Sequence, residues 1–259
     1  MTAATPHFDP HHHDHRPEPG TTWRHEHCDV DSSTDDYARR FAGAAGAWML
    51  SVQNAAVVKL ASPWRGGSVL DVGGGHAQLC GPLTDAGFTV TVLGSDLACA
   101  DRPHRLCPCT AFVCGDLLDL PFDDQCFDVV TAVRMLAHVE RWEQMVAQLC
   151  RVARRAVIVD FATPVSVNAI APLLFGLKKG VEKNTRAFQM QTKGRVRRAF
   201  GAAGFAHCDA VGQFAAPMAL HRMLGRPGVS RAVEGVLGVV GLRSAFGSPV
   251  ILRAQREHA

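Results

Sequence analysis

The sequence contains a single tyrosine, Tyr37, and aromatic residues make up only 7% of its 259 positions. No apolar run approaches the roughly 18 residues that a membrane-spanning helix needs, and from the polar, histidine-rich N-terminus we expect no signal peptide. A formal net charge of +3 is too small to indicate a nucleic-acid partner. With 47% hydrophobic and 20% charged residues, the chain is neither fibrous nor fully disordered. Its length suits one domain with additions.

A regular cysteine framework is also absent. The nine cysteines are an odd number and are scattered along the chain, which favours reduced thiols in the cytoplasm over a disulfide scaffold. Cys107 and Cys109 form the only close pair, and structural zinc sites need two such pairs. We therefore interpret this pair as loop thiols and expect no metal site.

The first 32 residues carry seven of the thirteen histidines, mixed with several prolines. Such a segment buries too little apolar surface to offset the entropy of ordering it, so we predict a disordered tail over residues 1–32. Clustered imidazoles bind transition metals, and metal capture by the run at 11–15 is the alternative to a solvated tail without a specific role.

One short stretch, residues 68–79, combines a strand, a turn and the start of a helix. The apolar residues of 68–72 predict a buried strand, three consecutive glycines follow, and a helix is predicted from Ala77 onward. A turn without Cβ atoms lets a ligand approach the backbone and the free N–H groups of the first helical turn. The dinucleotide fingerprint G-x-G-x-x-G does not fit, because Gln78 stands where its third glycine is required.

The pattern acidic-x-G-x-G-x-small, from Asp71 to Ala77, resembles motif I of the class I S-adenosylmethionine-dependent methyltransferases. Residues 113–122 (VCGDLLDLPF) and 127–139 (FDVVTAVRMLAHV) resemble the adenine-binding and fourth-strand motifs of that family, in order and at ordinary spacing. The resemblance is strong over residues 65–160 and looser towards the C-terminus. It implies a small-molecule methyltransferase with a methyltransferase-11-like domain.

Strands and helices alternate from residue 68 onward, which is typical of a parallel sheet covered by helices on both faces. The resemblance implies an α/β, Rossmann-like, doubly wound sheet of seven strands, mostly parallel, with an antiparallel last strand and helical insertions. The predicted strands are 68–72, 88–93, 110–114, 127–133, 155–161, 206–212 and 249–254. Ligands of such sheets bind beyond the carboxyl ends of the strands, and every motif named above falls there.

The domain itself is predicted to span residues 33–259. Within it, amphipathic helices over 34–62 follow a run of N-capping residues, and the resemblance implies that helices here cover the cofactor. Two insertions, at about 165–191 and 215–247, are where a substrate pocket is expected, because loops on a rigid scaffold carry specificity. Tyr37 in the first helices is either a packing residue or a contact to cofactor or substrate.

The resemblance implies S-adenosylmethionine as the cofactor and assigns roles at the strand ends. The glycines let the chain pass close to the methionyl and ribose parts, Asp71 positions the turn or an ordered water, and Asp116 with the N–H of Leu117 meets the adenine edge. Asp96 lies two residues beyond the usual position of the ribose-binding acid, and Ser95 or a water is the alternative. The expected cofactor-binding residues are Asp71, Gly73, Gly74, Gly75, Asp96, Asp116, Leu117 and Arg134.

Methyl transfer from a sulfonium is an in-line displacement with an activated leaving group, so alignment and desolvation are the main tasks of the protein. A general base is needed only if the acceptor must lose a proton. His138 is the candidate base, with a packing histidine as the alternative. Arg134 is the candidate electrostatic clamp on the cofactor carboxylate or an anionic substrate, or else a helix cap. His76 lies inside the glycine turn and is a third catalytic candidate.

Partners are less well defined by the sequence. Between residues 178 and 198, eight Lys or Arg stand against one acid, which indicates either an anionic acceptor or a solvated helix face. The apolar 215–247 segment suits capping of a hydrophobic small molecule, dimerisation or contact with a membrane surface, although its glycines and weak charge pattern argue against a strongly amphipathic membrane helix. We expect a small-molecule substrate, no nucleic acid, no membrane span, a homodimer as an option, and a cytoplasmic location.

Three functions therefore stay open at this point. The first is transfer of a methyl group to an O, N or C atom of a small molecule, which the medium-sized insertions favour. The second is methylation of RNA or protein, for which the basic stretch is the only support. The third is a non-enzymatic protein that keeps the fold and the cofactor for binding or scaffolding, which the altered glycine motif and the displaced acid suggest.

Overall fold

A computed structural model describes residues 26–166 and 188–257 of the chain. Seven strands form one sheet in the order β3-β2-β1-β4-β5-β7-β6. The strands β1 to β5 pair in parallel, and β7 runs antiparallel to both β5 and β6. The strands are β1 (Ser68–Val72), β2 (Thr89–Gly94), β3 (Ala111–Cys114), β4 (Phe127–Ala132), β5 (Ala153–Phe161), β6 (His207–Phe214) and β7 (Ser248–Gln255). Each predicted strand is confirmed with its ends displaced by two residues at most.

Helices cover both faces of this sheet. Short 3-10 turns at Arg39–Phe41, Ser62–Trp64, Gly74–His76 and Leu97–Ala100 link several of them. The helices are α1 (Cys28–Ser32), α2 (Asp35–Ala38), α3 (Gly43–Ala61), α4 (Cys80–Asp85), α5 (Asp101–Leu106), α6 (Trp142–Val152), α7 (Lys193–Ala202), α8 (Met218–Leu224), α9 (Pro227–Val239) and α10 (Leu242–Phe246).

Alternate residues of the central strands supply two apolar layers. Leu70 and Val130 pack with α6 and α7 on one face, whereas Val69 and Val129 pack with α3 and α4 on the other. All four side chains are fully buried, and burial of each such side chain contributes about 1.5–3 kcal/mol. Because both faces are covered, β1, β4 and β5 are mostly apolar in their middle, and Asp71, Thr131 and Asp160 lie towards their carboxyl ends.

The N-terminal boundary differs from the prediction. Thr34 caps α2 by accepting a hydrogen bond from the Tyr37 N–H (3.2 Å), as the capping run indicates. However, α1 occupies residues 28–32, which the composition predicts to be part of the disordered tail. The cause is Asp29, whose buried carboxylate has partners in the domain that the local sequence does not reveal. The histidine run at 11–15 lies outside the described residues, as does most of the first insertion.

No single helix in the described part of the chain is long and apolar enough to cross a membrane. Residues 35–41 and 43–64 satisfy that test only when they are taken together, and they are bent by 95° relative to each other. The second insertion folds as α8, α9 and α10, which lie between β6 and β7 in the chain.

Candidate active site at the carboxyl edge of the sheet

The glycine turn leaves the end of β1 as predicted, but the helix α4 begins at Cys80 and not at Ala77, which is left-handed. Gly73 adopts a left-handed φ of 70°, and its N–H donates to the Leu93 carbonyl of the neighbouring strand (2.8 Å). A Cβ at Gly73 would collide with the Met135 sulfur, and one at Gly75 with the Ser33 hydroxyl. The turn therefore requires glycine for conformation at the first position and for space at both.

Asp71 lies beneath this turn. Its carboxylate is buried, accepts a hydrogen bond from the Thr131 hydroxyl of β4 (2.7 Å), and lies so close to Gly74 that a Cβ there would collide with it. Burial raises the pKa of Asp71 to about 6, and the hydrogen bond from Thr131 opposes this shift. This geometry suits the predicted role of positioning the turn.

Arg134 follows the end of β4 in a left-handed conformation, with φ of 64°. Its backbone N–H donates to the Asp160 carboxylate at the end of β5, which holds the residue in this unusual conformation. Its Nη2 donates to the Gln78 side-chain oxygen and lies 3.3 Å from Nδ1 of His76. The guanidinium carbon also lies 4.9 Å from the ring centroid of Phe41, a cation–π contact. The alternative role as a helix cap is therefore not the one that the structure gives it.

His76 is neutral in this environment. Burial, followed by the charges of Arg134 and Arg102, lowers its pKa to about 3. Because an arginine can only donate, Nδ1 of His76 must accept, so the hydrogen of the ring is on Nε2. Within the described residues, this Nε2 and the Nη1 of Arg134 are buried without a hydrogen-bond partner. The site thus holds two unsatisfied donors, which an anionic group would satisfy.

Two residues without a predicted role complete this network. Asp160 is buried and accepts a hydrogen bond from the Gln53 amide of α3 (2.7 Å). Gln78 in turn donates to the side-chain oxygens of Gln53 (2.8 Å) and Asn54 (2.7 Å). Burial raises the pKa of Asp160 to about 6, against the stabilising effect of the Arg134 N–H and charge. Asp160 could have been predicted as a site residue, because it is an acid at the end of a predicted parallel strand.

Arg134 and His76 are among the residues that line a cavity of about 10 Å³, which holds roughly one water molecule. A small-molecule ligand of ordinary size needs a pocket of roughly 300 Å³ or more. The cavity is lined by Ser32, Asp71, Gly73, Gly74, His76, Gln78, Leu79, Val133 and Arg134. Since Ser32 belongs to α1, the N-terminal helix closes the site on one side.

The helix α1 is fixed there by Asp29. Its fully buried carboxylate accepts hydrogen bonds from the Ser95 N–H (2.8 Å) and the Ser95 hydroxyl (2.5 Å) at the end of β2. The Ser33 hydroxyl donates to the Asp29 carbonyl (2.7 Å) and also faces Gly75. On the other side, Glu26 accepts from two N–H groups beyond β4, at residues 140 and 141. A segment of the chain itself therefore occupies the space above the glycine turn.

Asp96 and Asp116 lie at the ends of β2 and β3, outside the lining of this cavity. The Asp96 carboxylate is exposed and accepts from the Ala98 N–H (2.8 Å), and Asp116 accepts from the Leu118 N–H (2.8 Å). Both hydrogen bonds span two residues, so each acid also serves its own turn. Leu117 is fully buried and packs in the core. Their roles towards adenine and ribose stay predictions.

His138 is half-buried beyond β4, and its ring makes an edge contact with Phe188, with 5.8 Å between centroids. It is not among the residues that line the small cavity. Tyr37 does lie at the site, because its ring is 5.6 Å from that of His76. The role of His138 as a base stays a prediction.

The thiol prediction is wrong for two cysteines. Cys80, at the start of α4, and Cys107, at the end of α5, form a disulfide with their Cα atoms 6.4 Å apart. The two are 27 residues apart in the sequence, so their pairing depends on how the chain folds between them. Cys109 is exposed and free. Within residues 26–166 and 188–257, no three His, Cys, Asp or Glu side chains converge closely enough to hold a metal ion.

The sheet order, the glycine turn after β1 and the acids at the strand ends together define the Rossmann-like fold of the class I methyltransferases. Residues 70–159 match the methyltransferase domain family. This match supports the resemblance seen in the motifs over that part of the chain.

Relatives and solved structures agree with this assignment. The chain is 33% identical over 102 residues to a demethylmenaquinone methyltransferase of Renibacterium salmoninarum, covering 38% of this chain and 43% of the relative. The chain is 30% identical over 142 residues to the enzyme of the same name from Beutenbergia cavernae. That match covers 52% of this chain and 59% of the relative. The chain spans about half the length of the curated relatives it matches.

Among solved structures, magnesium protoporphyrin IX methyltransferase from Synechocystis with bound S-adenosylhomocysteine gives a TM-score of 0.58 at 19% identity, covering 86% of this chain and 94% of that one. Phosphoethanolamine N-methyltransferase 2 of Haemonchus contortus with bound S-adenosylmethionine gives a TM-score of 0.54 at 14% identity. The match covers 80% of this chain and 52% of that one. These likenesses establish the fold.

Proposed function

We propose that this protein transfers a methyl group from S-adenosylmethionine to a small-molecule acceptor. The observation that carries the proposal is that Arg134 Nη1 and His76 Nε2 are buried without a partner among the described residues, on two residues that line the cavity at the glycine turn. S-adenosylmethionine has a carboxylate on its amino-acid part, and a carboxylate accepts two such hydrogen bonds. An inactive scaffold has no need for buried donors that lack partners, because each costs about 1–3 kcal/mol.

Residues at the strand ends would hold the remaining parts of the cofactor. The backbone of Gly73 to Gly75 permits close approach, Asp96 would accept from the ribose hydroxyls, and Asp116 with the Leu117 N–H would meet the adenine edge. When bound, the cofactor supplies an electrophilic methyl group on a sulfonium. Arg134 and neutral His76 orient its carboxylate, and the buried Asp71 and Asp160 hold the turn and Arg134 in place.

Binding requires that α1 move, because a cavity of about 10 Å³ cannot accept a ligand of this size. Asp29 is the residue that holds α1 at the end of β2. We infer that cofactor binding displaces the Asp29 carboxylate from Ser95. His138 is proposed to remove a proton where the acceptor requires it.

The acceptor is proposed to be a small lipophilic molecule. Support comes from the relatives named as demethylmenaquinone methyltransferases, so a demethylmenaquinone is the first acceptor to test. For methylation of nucleic acid, the described part of the basic stretch gives little support. Arg195 pairs with Glu143 (3.0 Å) and lies over the ring of Trp142 (5.0 Å), as on a solvated helix face.

A cytoplasmic location and a homodimer belong to the proposal as well. The Cys80–Cys107 disulfide stands against a reducing compartment, because disulfides are rare there. Thiol labelling of the protein in intact cells, before and after reduction, separates the two cases. A labelled, reduced pair supports the cytoplasmic proposal, whereas a pair that reacts only after reduction contradicts it.

The test of the main proposal is calorimetric titration with S-adenosylmethionine and with S-adenosylhomocysteine, followed by transfer of a labelled methyl group to a demethylmenaquinone and a panel of small acceptors. Micromolar affinity with turnover on one acceptor class is expected. Affinity without turnover on any acceptor would favour a binding or scaffolding protein. No affinity for either compound would overturn the proposal.

A further inference from the structure

The helix α9 buries polar residues and exposes apolar ones. Val236, Val239 and Val240, at its C-terminal end, are 67%, 89% and 63% exposed, whereas Ser230 and Glu234 are buried. Helices of globular proteins normally present the opposite arrangement to solvent. With Val229, the exposed residues recur at intervals of three, four and seven, so they form one stripe along the helix. We call this set the valine stripe.

The orientation of α9 is fixed from inside. The Glu234 carboxylate accepts hydrogen bonds from the Ala215 N–H (3.0 Å) and the Ala216 N–H (2.9 Å), and it lies 2.9 Å from Nε2 of His221. Rotating the helix to bury the valine stripe would strip a buried carboxylate of these partners, which is costly. Within the described residues, the stripe is therefore held on the outer side of α9.

The exposed charges of the segment that carries the stripe have one sign. The segment that contains α8, α9 and α10, residues 217–247, carries Glu234 as its single acid, and that acid is buried. Its four arginines are all exposed. They are Arg222, Arg226, Arg231 and Arg243. Met223 and Phe246 add further exposed apolar surface from α8 and α10.

We propose that the valine stripe, with the arginines of α8 to α10, docks on an anionic lipid surface. A lipid interface offers both chemistries at once, because its acyl boundary accepts apolar side chains and its anionic headgroups attract arginine. Nucleic acid would match the arginines but leave the valines in water. A second copy of the chain would bring the same four arginines against each other, because a twofold interface pairs one surface with itself.

The docking is weak and reversible, since one short stripe lies at the surface and does not span it. Each arginine near an anionic membrane contributes about fivefold in affinity, and the contribution falls as salt rises. The inference does not rest on the proposed methyl transfer, because binding to lipid needs neither cofactor nor acceptor.

The experiment is cosedimentation of the full chain with two kinds of sized vesicle. One kind is phosphatidylcholine alone, and in the other about one lipid in three is phosphatidylglycerol. Binding to the anionic vesicles that declines between low and physiological salt is expected. Val239→Asp should lower the binding at least tenfold, because it places a charge in the stripe. The double variant Arg231→Gln with Arg243→Gln should lower it about 25-fold, at about fivefold for each arginine.

Matched controls lie elsewhere on the surface. Leu106→Asp changes an exposed apolar residue of α5, and Arg65→Gln changes an exposed arginine after α3. Neither should change vesicle binding, and both report on general effects of charge. Circular dichroism shows whether each variant folds.

Three outcomes would overturn the inference. The first is equal loss of binding in the control and stripe variants. The second is binding to a DNA duplex of random sequence at the same salt with no binding to anionic vesicles. The third is a dimer in sedimentation equilibrium that Val239→Asp dissociates, again without vesicle binding. Loss of methyl transfer with vesicle binding retained would count against the proposed function only.

Discussion

The carboxyl edge of the sheet has two halves that differ in burial. At the ends of β1, β4 and β5, the carboxylates of Asp71 and Asp160 are buried, Asp71 accepts from Thr131, and Asp160 holds the backbone of Arg134. At the ends of β2 and β3, Asp96 and Asp116 accept hydrogen bonds from N–H groups two residues ahead. The first half is therefore organised for a charged group before any ligand arrives, and the second half consists of turn residues that a ligand can recruit.

This difference sets where binding energy is expected. Hydrogen bonds to charged groups in a buried site contribute about 1.5–3 kcal/mol each, whereas exposed polar contacts exchange with water and contribute less. A ligand that spans both halves should be anchored by the buried half and selected by the exposed one. Variants in the two halves should then differ in magnitude.

The largest effect is expected for Arg134→Leu. Loss of the guanidinium removes a charged donor and leaves Asp71 and Asp160 without their nearest cation, so affinity for S-adenosylmethionine should fall about 100-fold or more. Calorimetry measures this loss. Arg155→Leu, at an exposed position in β5, is the control and should bind as the native protein does. Affinity within threefold of native for Arg134→Leu would remove the contrast between the halves.

The pH dependence of stability tests the buried half directly. Asp71 and Asp160 have pKa values raised to about 6, so the stability they contribute is present below pH 4 and is lost as pH rises through 6. His76 has its pKa lowered to about 3, so its contribution has the opposite sign: it is present above the unfolded value of 6.5 and is lost as pH falls.

Two variants distinguish the stability contribution of the buried acids from that of His76 between pH 4 and pH 6. His76→Asn removes the gain in stability that His76 contributes as pH rises. The free energy of unfolding of this variant should therefore fall with rising pH more steeply than that of the native protein, by about 1.4 kcal/mol per pH unit. Asp71→Asn should make the slope shallower by a similar amount. Urea denaturation at half-unit intervals of pH measures both slopes. Parallel curves for all three proteins would show that the cluster does not titrate as described.

Most of the fold follows from the sequence, because strand–helix alternation predicts a parallel sheet and the resemblance of three motifs implies seven strands with an antiparallel last strand. The site follows only in part. Asp71 and the glycines belong to a continuous motif, but Asp160, Gln53 and Asp29 reach the site from positions far apart in the chain. Their roles come from burial and from partners across the fold. No local pattern encodes the Cys80–Cys107 disulfide for the same reason.

Within the exposed half, a moderate effect is expected for Asp116→Ala. The carboxylate already satisfies the Leu118 N–H, so its removal costs both a turn contact and a contact to adenine, and affinity should fall about tenfold. Asp119→Ala changes an exposed acid in the same turn and serves as the control. A loss equal to that of Arg134→Leu would show that the two halves contribute alike.

The smallest change in affinity for S-adenosylmethionine is expected for Asp29→Ala. Whether the affinity rises or falls is the informative result. Asp29 holds α1 at the end of β2, where the proposed cofactor must enter, so removing the carboxylate should favour the open state and tighten S-adenosylmethionine binding about threefold to tenfold. Stopped-flow fluorescence of the tryptophans should show faster association with little change in dissociation. Asp31→Ala, an exposed acid on the same helix, should leave both rates unchanged.

Weaker binding in Asp29→Ala would mean something different. It would show that this acid contacts the cofactor in place of Asp96, which is exposed and occupied with the Ala98 N–H. The exposed half of the edge would then depend on a residue from the N-terminal segment, and α1 would be part of the binding site and not an obstacle to it. Combining Asp29→Ala with Asp96→Ala decides the point, because two acids that bind the same hydroxyls give non-additive losses.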